Sequence, residues 1–169
     1  MQRKSGHMTP ILVTPFLALL ALAGCNKAAD AAKLPHYDLS AASNAKYLTD
    51  FAAKPGVIKT QDGLEYRVIK AGTGKAPQSG ADMVTVTYKG TLITGKTFDK
   101  TAPGKTATFP AGALIPGWVE ALSLMKEGDV WQLVIPSDLG YGPGGAGDDI
   151  PPDQTLVFDL SLIKVAPPE

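Results

Sequence analysis

The chain has 169 residues, of which 44% are hydrophobic, which is enough for one domain with a core and short appendages. Sixteen Lys and Arg balance sixteen Asp and Glu without a dense basic run, so no nucleic-acid partner is expected. The single cysteine, Cys25, excludes an internal disulfide. Eighteen glycines and fourteen prolines favour a sheet-rich domain with tight turns.

The first 24 residues have the pattern of a secretory signal. Arg3 and Lys4 precede an apolar run from Ile11 to Ala23, which is too short for a comfortable transmembrane helix. Met8 is an alternative start, and a chain beginning there would have a signal without Arg3 and Lys4.

The apolar run ends in Leu22-Ala23-Gly24-Cys25, which resembles a bacterial lipobox. The resemblance implies cleavage before Cys25 and attachment of lipid to its sulfur, and Asn26 after the cysteine implies the outer membrane. Several acyl chains hold a protein stably on a bilayer. We therefore expect an anchored protein of the cell envelope, at the periplasmic face or the cell surface.

Composition divides the chain into four segments. Residues 1–24 are the predicted lipoprotein signal peptide, residues 25–38 a tether rich in Ala, Lys and Asp, residues 39–56 a short helix with its stop signal, and residues 57–169 the main domain.

The short N-terminal helix is predicted from a cap and a stop. Ser40 can cap a helix that runs to about Ala53, where Lys54-Pro55-Gly56 ends it. Its apolar stripe is expected to be Ala41, Ala45, Leu48 and Ala52. The helix could dock on the domain or pair with a second copy, and docking is the commoner arrangement. The helix is short for a dimerising arm, so we expect a monomer.

Segments of alternating or continuous apolar residues, bounded by turn residues, favour strands. These segments are Val57–Thr60, Leu64–Ile69, Val84–Lys89 continued by Leu92-Ile93, Thr97–Asp99, Thr106–Phe109, Val130–Ile135 and Thr155–Lys164. They predict an α+β fold, in which a curved antiparallel sheet of five to six strands wraps around one short central helix.

The central helix follows a bend that is rich in large apolar residues. After Pro116 and Gly117, the residues Trp118, Ala121, Leu122 and Met125 occupy one helical stripe, and Gly128 is expected to cap the C-terminus. Crowding of Leu114, Ile115 and Trp118 at the bend predicts either core packing or the floor of an apolar pocket.

After the signal, the chain has few residues of the types that nucleophilic catalysis or metal binding requires. After the signal, His36 is the one histidine, and no second cysteine follows Cys25, so no metal site is expected. Gly142–Gly147 matches G-x-G-x-x-G, but Asp148–Pro152 follows it instead of a helix. We therefore interpret the glycines as a flexible loop and expect no cofactor.

Short blocks of aromatic and aliphatic residues beside turns resemble the FKBP-type peptidyl-prolyl cis/trans isomerases. The blocks follow that family's order from about residue 63 to 164. They are Tyr88-Lys89-Gly90, Thr97-Phe98-Asp99, Leu114-Ile115-Pro116-Gly117-Trp118, Leu139-Gly140-Tyr141-Gly142, Ile150-Pro151-Pro152 and Leu156-Val157-Phe158.

The resemblance implies a role for each of these residues. Asp99, Tyr141, Ile115 and Tyr88 would act on the peptide: the Ile115 N–H and the Tyr141 hydroxyl would bond its carbonyls, and the Asp99 carboxylate would lie near the X-Pro imide. The remaining residues would hold the substrate, with Trp118 as floor; they are Phe98, Phe109, Leu114, Trp118, Ile150 and Phe158. The chain departs from eukaryotic members at Ala107, Ala146 and Asp149.

The implied function is acceleration of X-Pro rotation in proline-containing polypeptides, with inhibition by rapamycin-type macrolides. Such rotation requires no nucleophile, because the barrier comes from the partial double-bond character of the amide. Two other classes stay open. One is a low-activity, proline-binding chaperone or adaptor that uses the same pocket, and the other is a purely structural envelope lipoprotein.

Overall fold

The computed structural model describes residues 36–168. The predicted signal, Cys25 and the tether up to residue 35 lie outside the described residues. The described part contains helices α1 (Ala41–Ala52) and α2 (Pro116–Leu124) and the strands β1 (Val57–Lys59), β2 (Glu65–Lys70), β3 (Met83–Leu92), β4 (Thr97–Lys100), β5 (Ala107–Pro110), β6 (Val130–Ile135) and β7 (Leu156–Ala166). Neither helix of residues 36–168 is long and apolar enough to cross a bilayer.

The strands form one antiparallel sheet with the order β1-β2-β6-β7-β3-β4, and β5 also pairs with β3. The predicted α+β class and antiparallel sheet are confirmed. The expected five to six strands become seven in residues 36–168, because each of the short strands β1, β4 and β5 forms its own ladder with a longer neighbour.

One face of the sheet and α2 share the main core. The predicted stripe of α2 is buried, and so are the alternating residues of β7 that the sequence placed on one face. These side chains are Trp118, Ala121, Leu122 and Met125 from α2 and its C-terminal end, with Leu156, Phe158, Leu160 and Leu162 from β7. The even spacing of the β7 residues follows from the two-residue period of a strand.

The predicted end of α2 is wrong: the helix stops at Leu124 and not at Gly128. Met125 is already extended, and the Lys126 N–H donates to the Asp129 carboxylate at 2.6 Å. That side-chain acceptor turns the chain out of the helix. Gly128 has a φ of +93° and belongs to the turn before β6.

Helix α1 covers the opposite face of the sheet. The fully buried Phe51 joins Ile93, Val134 and Val157 in a second core cluster, so α1 docks on the domain as expected. The Ser40 hydroxyl accepts the Ser43 N–H at 3.2 Å, which confirms the predicted cap.

The predicted stripe of α1 is wrong in three of its four members. Ala41, Ala45 and Ala52 are exposed, whereas Asn44 and Phe51 are buried and Leu48 is half-buried. Tyr37, at the end of the predicted tether, packs edge-to-face on Tyr47 with 4.8 Å between ring centroids. Aromatic side chains remove more apolar surface from water than alanines, so they decide which face is buried.

Candidate functional site

A cavity of about 420 Å³ opens between β3, β4, the start of α2 and the loop that follows β6. All ten residues predicted for the site line this cavity, together with Ala146 and Asp149. The lining consists of Tyr88, Phe98, Asp99, Phe109, Leu114, Ile115, Trp118, Tyr141, Ala146, Asp149, Ile150 and Phe158. The structure therefore brings together residues from five elements and two loops.

The aromatic rings of the cavity support one another. Trp118, which is 5% exposed, meets Tyr88 and Phe158 edge-to-face, with ring centroids 5.2 and 5.3 Å apart. Phe158 in turn meets Phe98 edge-to-face at 5.5 Å. Such contacts are the favoured geometry for aromatic pairs. The rings therefore form a rigid apolar floor and wall.

The bend before α2 brings Trp118 to the floor. Ile115 is the N-cap, and its carbonyl accepts the N–H groups of both Trp118 and Val119. Pro116 suits the first helical turn because its ring fixes φ and it lacks an N–H. At Gly117 a Cβ would lie 2.6 Å from Ile135 Cγ2, so only glycine lets the helix start so close to β6.

A free donor is left at the rim. Among residues 36–168, the backbone N–H of Ile115 donates to no acceptor. The residue is half-buried and lines the cavity. The N–H is therefore available to a carbonyl of a bound molecule.

Asp99 places a carboxylate against an aromatic side chain of the cavity, that of Tyr88. One carboxylate oxygen accepts the Tyr88 hydroxyl at 2.6 Å, and the other accepts the Lys100 N–H at 2.8 Å. Burial and the hydrogen bond to Asp99 raise the pKa of Tyr88 well above its ordinary value. Tyr88 therefore stays protonated and holds the carboxylate in one orientation.

Tyr141 contributes a second free donor. Its side chain is 41% exposed, and within the described chain its hydroxyl has no hydrogen-bond partner. Burial raises the pKa of Tyr141, and the charge of Asp99 raises it further. The phenol is therefore neutral at physiological pH and can donate a hydrogen bond into the cavity.

The loop after β6 forms the far wall. Gly142–Gly144 makes a 3-10 turn, and Ala146 and Ile150 exchange two backbone hydrogen bonds of 2.8 and 3.1 Å. At Gly145, with a φ of +63°, a Cβ would lie 2.3 Å from the Ile150 carbonyl oxygen. The glycine run thus lets the loop fold tightly on itself and place Ile150, which is 5% exposed, against the core.

Two lining residues were noted in the sequence only as departures from relatives. Ala146 and Asp149 lie in the same loop as Ile150, and this proximity in sequence is the signal that could have placed them. Asp149 pairs with Lys96 at 2.9 Å. In the part of the chain described, no three His, Cys, Asp or Glu side chains are grouped so that they could hold a metal ion.

A comparison with protein families matches residues 74–163 to the model described as "FKBP-type peptidyl-prolyl cis-trans isomerase". The FKBP-type 22 kDa peptidyl-prolyl cis-trans isomerase of Escherichia coli K12 is 45% identical over 146 residues, which cover 86% of this chain and 70% of that protein. Outer membrane protein MIP of Legionella longbeachae is 48% identical over 120 residues, which cover 70% of this chain but only 51% of that protein.

Two solved structures have the same fold. The crystal structure of FkpA from Escherichia coli has a TM-score of 0.71 and 45% identity, and the match covers 75% of this chain and 59% of that one. A peptidyl-prolyl cis-trans isomerase from Pseudomonas syringae has a TM-score of 0.69 and 39% identity, with 74% and 92% covered.

Proposed function

The chain belongs to the FKBP-type peptidyl-prolyl cis-trans isomerases, and we propose that it accelerates X-Pro rotation in folding or mature envelope proteins, using the cavity over Trp118. One observation carries the proposal. A single apolar cavity combines a rigid aromatic floor, a fixed carboxylate at Asp99 and two free donors at Ile115 and Tyr141.

The barrier to rotation arises from conjugation in the X-Pro amide, and it is about 18–20 kcal/mol. A dry apolar cavity disfavours the charge-separated resonance form of the planar amide, which is the ground state. It therefore favours the twisted transition state, in which conjugation is lost. Each ~1.4 kcal/mol removed from the barrier accelerates rotation about tenfold.

The apolar lining residues hold the proline. The prolyl ring rests on Trp118, between the walls made by Phe98, Phe109 and Phe158. Leu114 and Ile150 close the two sides. These six side chains bind the substrate and exclude water.

The polar groups act on the peptide backbone. The Ile115 N–H and the Tyr141 hydroxyl donate to peptide carbonyls and orient the bond that rotates. Asp99, held by Tyr88, lies beside the imide carbonyl, where the field of the carboxylate disfavours the planar form.

A coupled assay on a short X-Pro peptide tests the proposal. We expect a rate above the uncatalysed background, its loss at saturating rapamycin-type macrolide, and a large reduction in the Asp99→Ala, Tyr141→Phe double variant. Binding of unfolded protein without any acceleration would instead support the proline-binding chaperone or adaptor. Absence of both catalysis and macrolide binding would support a structural lipoprotein.

The location of the protein is part of the proposal. The Leu22–Cys25 pattern supports a lipid anchor at Cys25, and the name of the Legionella relative, an outer membrane protein, supports the outer membrane. The aromatic side of α1 is used in docking on its own domain, which supports a monomer. Sedimentation of the purified chain measures the oligomeric state.

A further inference from the structure

Helix α1 lies outside the residues that match the family model, yet its polar contacts reach the wall of the cavity. Asn44 and Gln154 are each only 6% exposed. The Asn44 carbonyl oxygen accepts the Thr155 backbone N–H at 2.7 Å, and its amide nitrogen donates to the Gln154 side-chain oxygen at 3.1 Å. Because these bonds are shielded from water, each fixes the distance between α1 and the segment before β7.

Gln154 carries the connection onward to the wall. Its amide nitrogen donates to the Leu39 carbonyl at 3.2 Å and to the Pro152 carbonyl at 2.9 Å. Pro152 follows Ile150 by two residues, and the next N–H, of Asp153, donates to the Gly142 carbonyl at 2.9 Å. The segment that carries Ile150 is therefore tied to the glycine loop on one side and to α1 on the other.

The choice of residue at position 44 is informative. Asparagine is a poor helix former in a helix interior, and a buried amide is costly unless its groups are bonded. The rest of this face of α1 packs through apolar side chains such as Leu48 and Phe51. A helix that only had to dock could use an apolar residue here as well. The amide suits a helix that must also hold a particular backbone segment.

The ion pair between Lys96 and Asp149 also joins this wall to another part of the described chain, the turn between β3 and β4. Both side chains are more than half exposed. Exposed pairs of this kind contribute little, because water and salt screen them. The buried Asn44–Gln154 pair is therefore the firmer polar attachment of the wall.

We propose that Asn44 and Gln154 are positioning residues for the isomerase site. They hold the Ile150 wall at the distance from Trp118 that fits a prolyl ring, and they fix the entry into β7, which carries Phe158. The inference rests on the proposed function, since the spacing of the wall affects turnover only if the cavity holds the proline.

The test compares four variants in the full chain: Asn44→Ala, Gln154→Ala, the double variant, and Asn44→Asp, which keeps the acceptor for the Thr155 N–H. Leu48→Ala is the matched control, because it weakens α1 docking through the same helix face but leaves the amides in place. Two quantities are measured: kcat and KM on an X-Pro peptide, and amide hydrogen exchange at Ile150 and Asp153.

We expect Asn44→Ala and Gln154→Ala each to reduce kcat/KM by about tenfold, since small displacements of a binding wall are costly. The loss should fall mainly on KM, because Ile150 contacts ground and transition states alike. The double variant should be no more than about twofold worse than either single one, as expected for partners in one network. Exchange at Ile150 and Asp153 should accelerate, and Asn44→Asp should restore part of both effects.

Wild-type KM and exchange in Asn44→Ala would overturn the inference, as would an equal rise of KM in Leu48→Ala. If Asn44→Ala does not fold, Gln154→Ala and Asn44→Asp decide in its place. A wild-type chain without isomerase activity would contradict the proposed function. The exchange data and the affinity of the variants for a proline-containing peptide would then decide the positioning role by themselves.

Discussion

At the scale of single residues, Gly90 shows how a missing side chain shapes the cavity. It lies in β3, opposite Asp99 on one side and Phe158 on the other. A Cβ at this position would lie 2.6 Å from Phe98 Cζ and 2.7 Å from Phe158 Cε1. Both rings line the cavity, so the space at Gly90 shapes the site even though Gly90 itself is not a lining residue.

We predict that Gly90→Ala displaces both rings, lowers kcat/KM by at least about tenfold and costs about 1–3 kcal/mol of unfolding free energy. Gly144→Ala is the control, because a Cβ there has no neighbour within 4 Å. Peptide assays and urea unfolding measure the two effects. Equal activity in the two variants would show that the rings tolerate displacement.

Tyr88 gives a prediction on pH dependence. Its pKa is raised above 10.0 by burial and by Asp99, so the folded protein holds the phenol proton more tightly than the unfolded chain. The resulting stabilisation is complete below the unfolded pKa of about 10 and is lost as pH rises from there toward the folded pKa. The unfolding free energy should therefore fall less steeply above about pH 10 in Tyr88→Phe than in the wild type.

Urea unfolding at a series of pH values measures this difference. Asp99→Ala serves as a second variant, because it removes the hydrogen bond and the negative charge that raise the pKa of Tyr88. The fall of its unfolding free energy with rising pH should be intermediate between those of the wild type and Tyr88→Phe. Parallel curves for the wild type and Tyr88→Phe would contradict the assigned environment of Tyr88.

At the scale of elements, the turn after α2 depends on one buried carboxylate. Asp129 is 6% exposed and accepts the N–H groups of Gly72 and Lys126, both at 2.6 Å. Gly72 lies close to the same turn, since a Cβ there would come within 2.3 Å of the Glu127 carbonyl oxygen. The carboxylate therefore ends α2 and ties the segment after β2 to the start of β6.

We predict that Asp129→Ala lowers the unfolding free energy by about 3 kcal/mol, because it leaves two backbone donors without their charged acceptor. The exposed turn residue Asp62 provides the control, and Asp62→Ala should change stability by less than about 0.5 kcal/mol. Thermal and urea unfolding measure both variants. A small decrease of the unfolding free energy in Asp129→Ala would mean that water replaces the carboxylate as acceptor of the two N–H groups.

These elements also show what the sequence could predict. The strands and the buried stripe of α2 follow from local periodicity, and the structure confirms them. The Asp129 carboxylate that accepts the Lys126 N–H at the end of α2 is also held by Gly72, and the buried side of α1 is set by Phe51, which packs on Ile93, Val134 and Val157. Partners that are far apart in sequence leave no periodic signal, so both features were predicted wrongly.

At the scale of the whole molecule, the cavity is a product of tertiary structure. Its aromatic and polar members come from β3, β4, β5, α2, β7 and the loops around them, and the residues at the bend before α2 alone favour core packing over a pocket. Resemblance to a family supplied the grouping, and the fold brings all ten of the predicted residues to one place. Asn44 and Gln154 carried no such signal, because their side chains act on the backbone of the wall and not on the ligand.

The position of the proposed anchor in the sequence, outside the range of the cavity-lining residues, leads to a last prediction. Every residue that lines the cavity lies between Tyr88 and Phe158, whereas the proposed lipid is carried by Cys25. The isomerase reaction as proposed requires only the cavity and its supports. Loss of the lipid should therefore change the location of the protein in the cell. It should leave the turnover of a dissolved peptide unchanged.

We predict that Cys25→Ser abolishes incorporation of radioactive fatty acid and moves the protein out of the membrane fraction, since stable attachment requires acyl chains. Its kcat/KM on a short X-Pro peptide should stay within about twofold of the wild-type value, because the substitution changes none of the residues that line the cavity. Asn26→Ser is the matched control for labelling, because it changes the residue adjacent to Cys25 and leaves the cysteine in place. Equal labelling of Cys25→Ser and the wild type would rule out the anchor, whereas a large loss of peptide turnover in Cys25→Ser would show that the N-terminal segment contributes to the cavity.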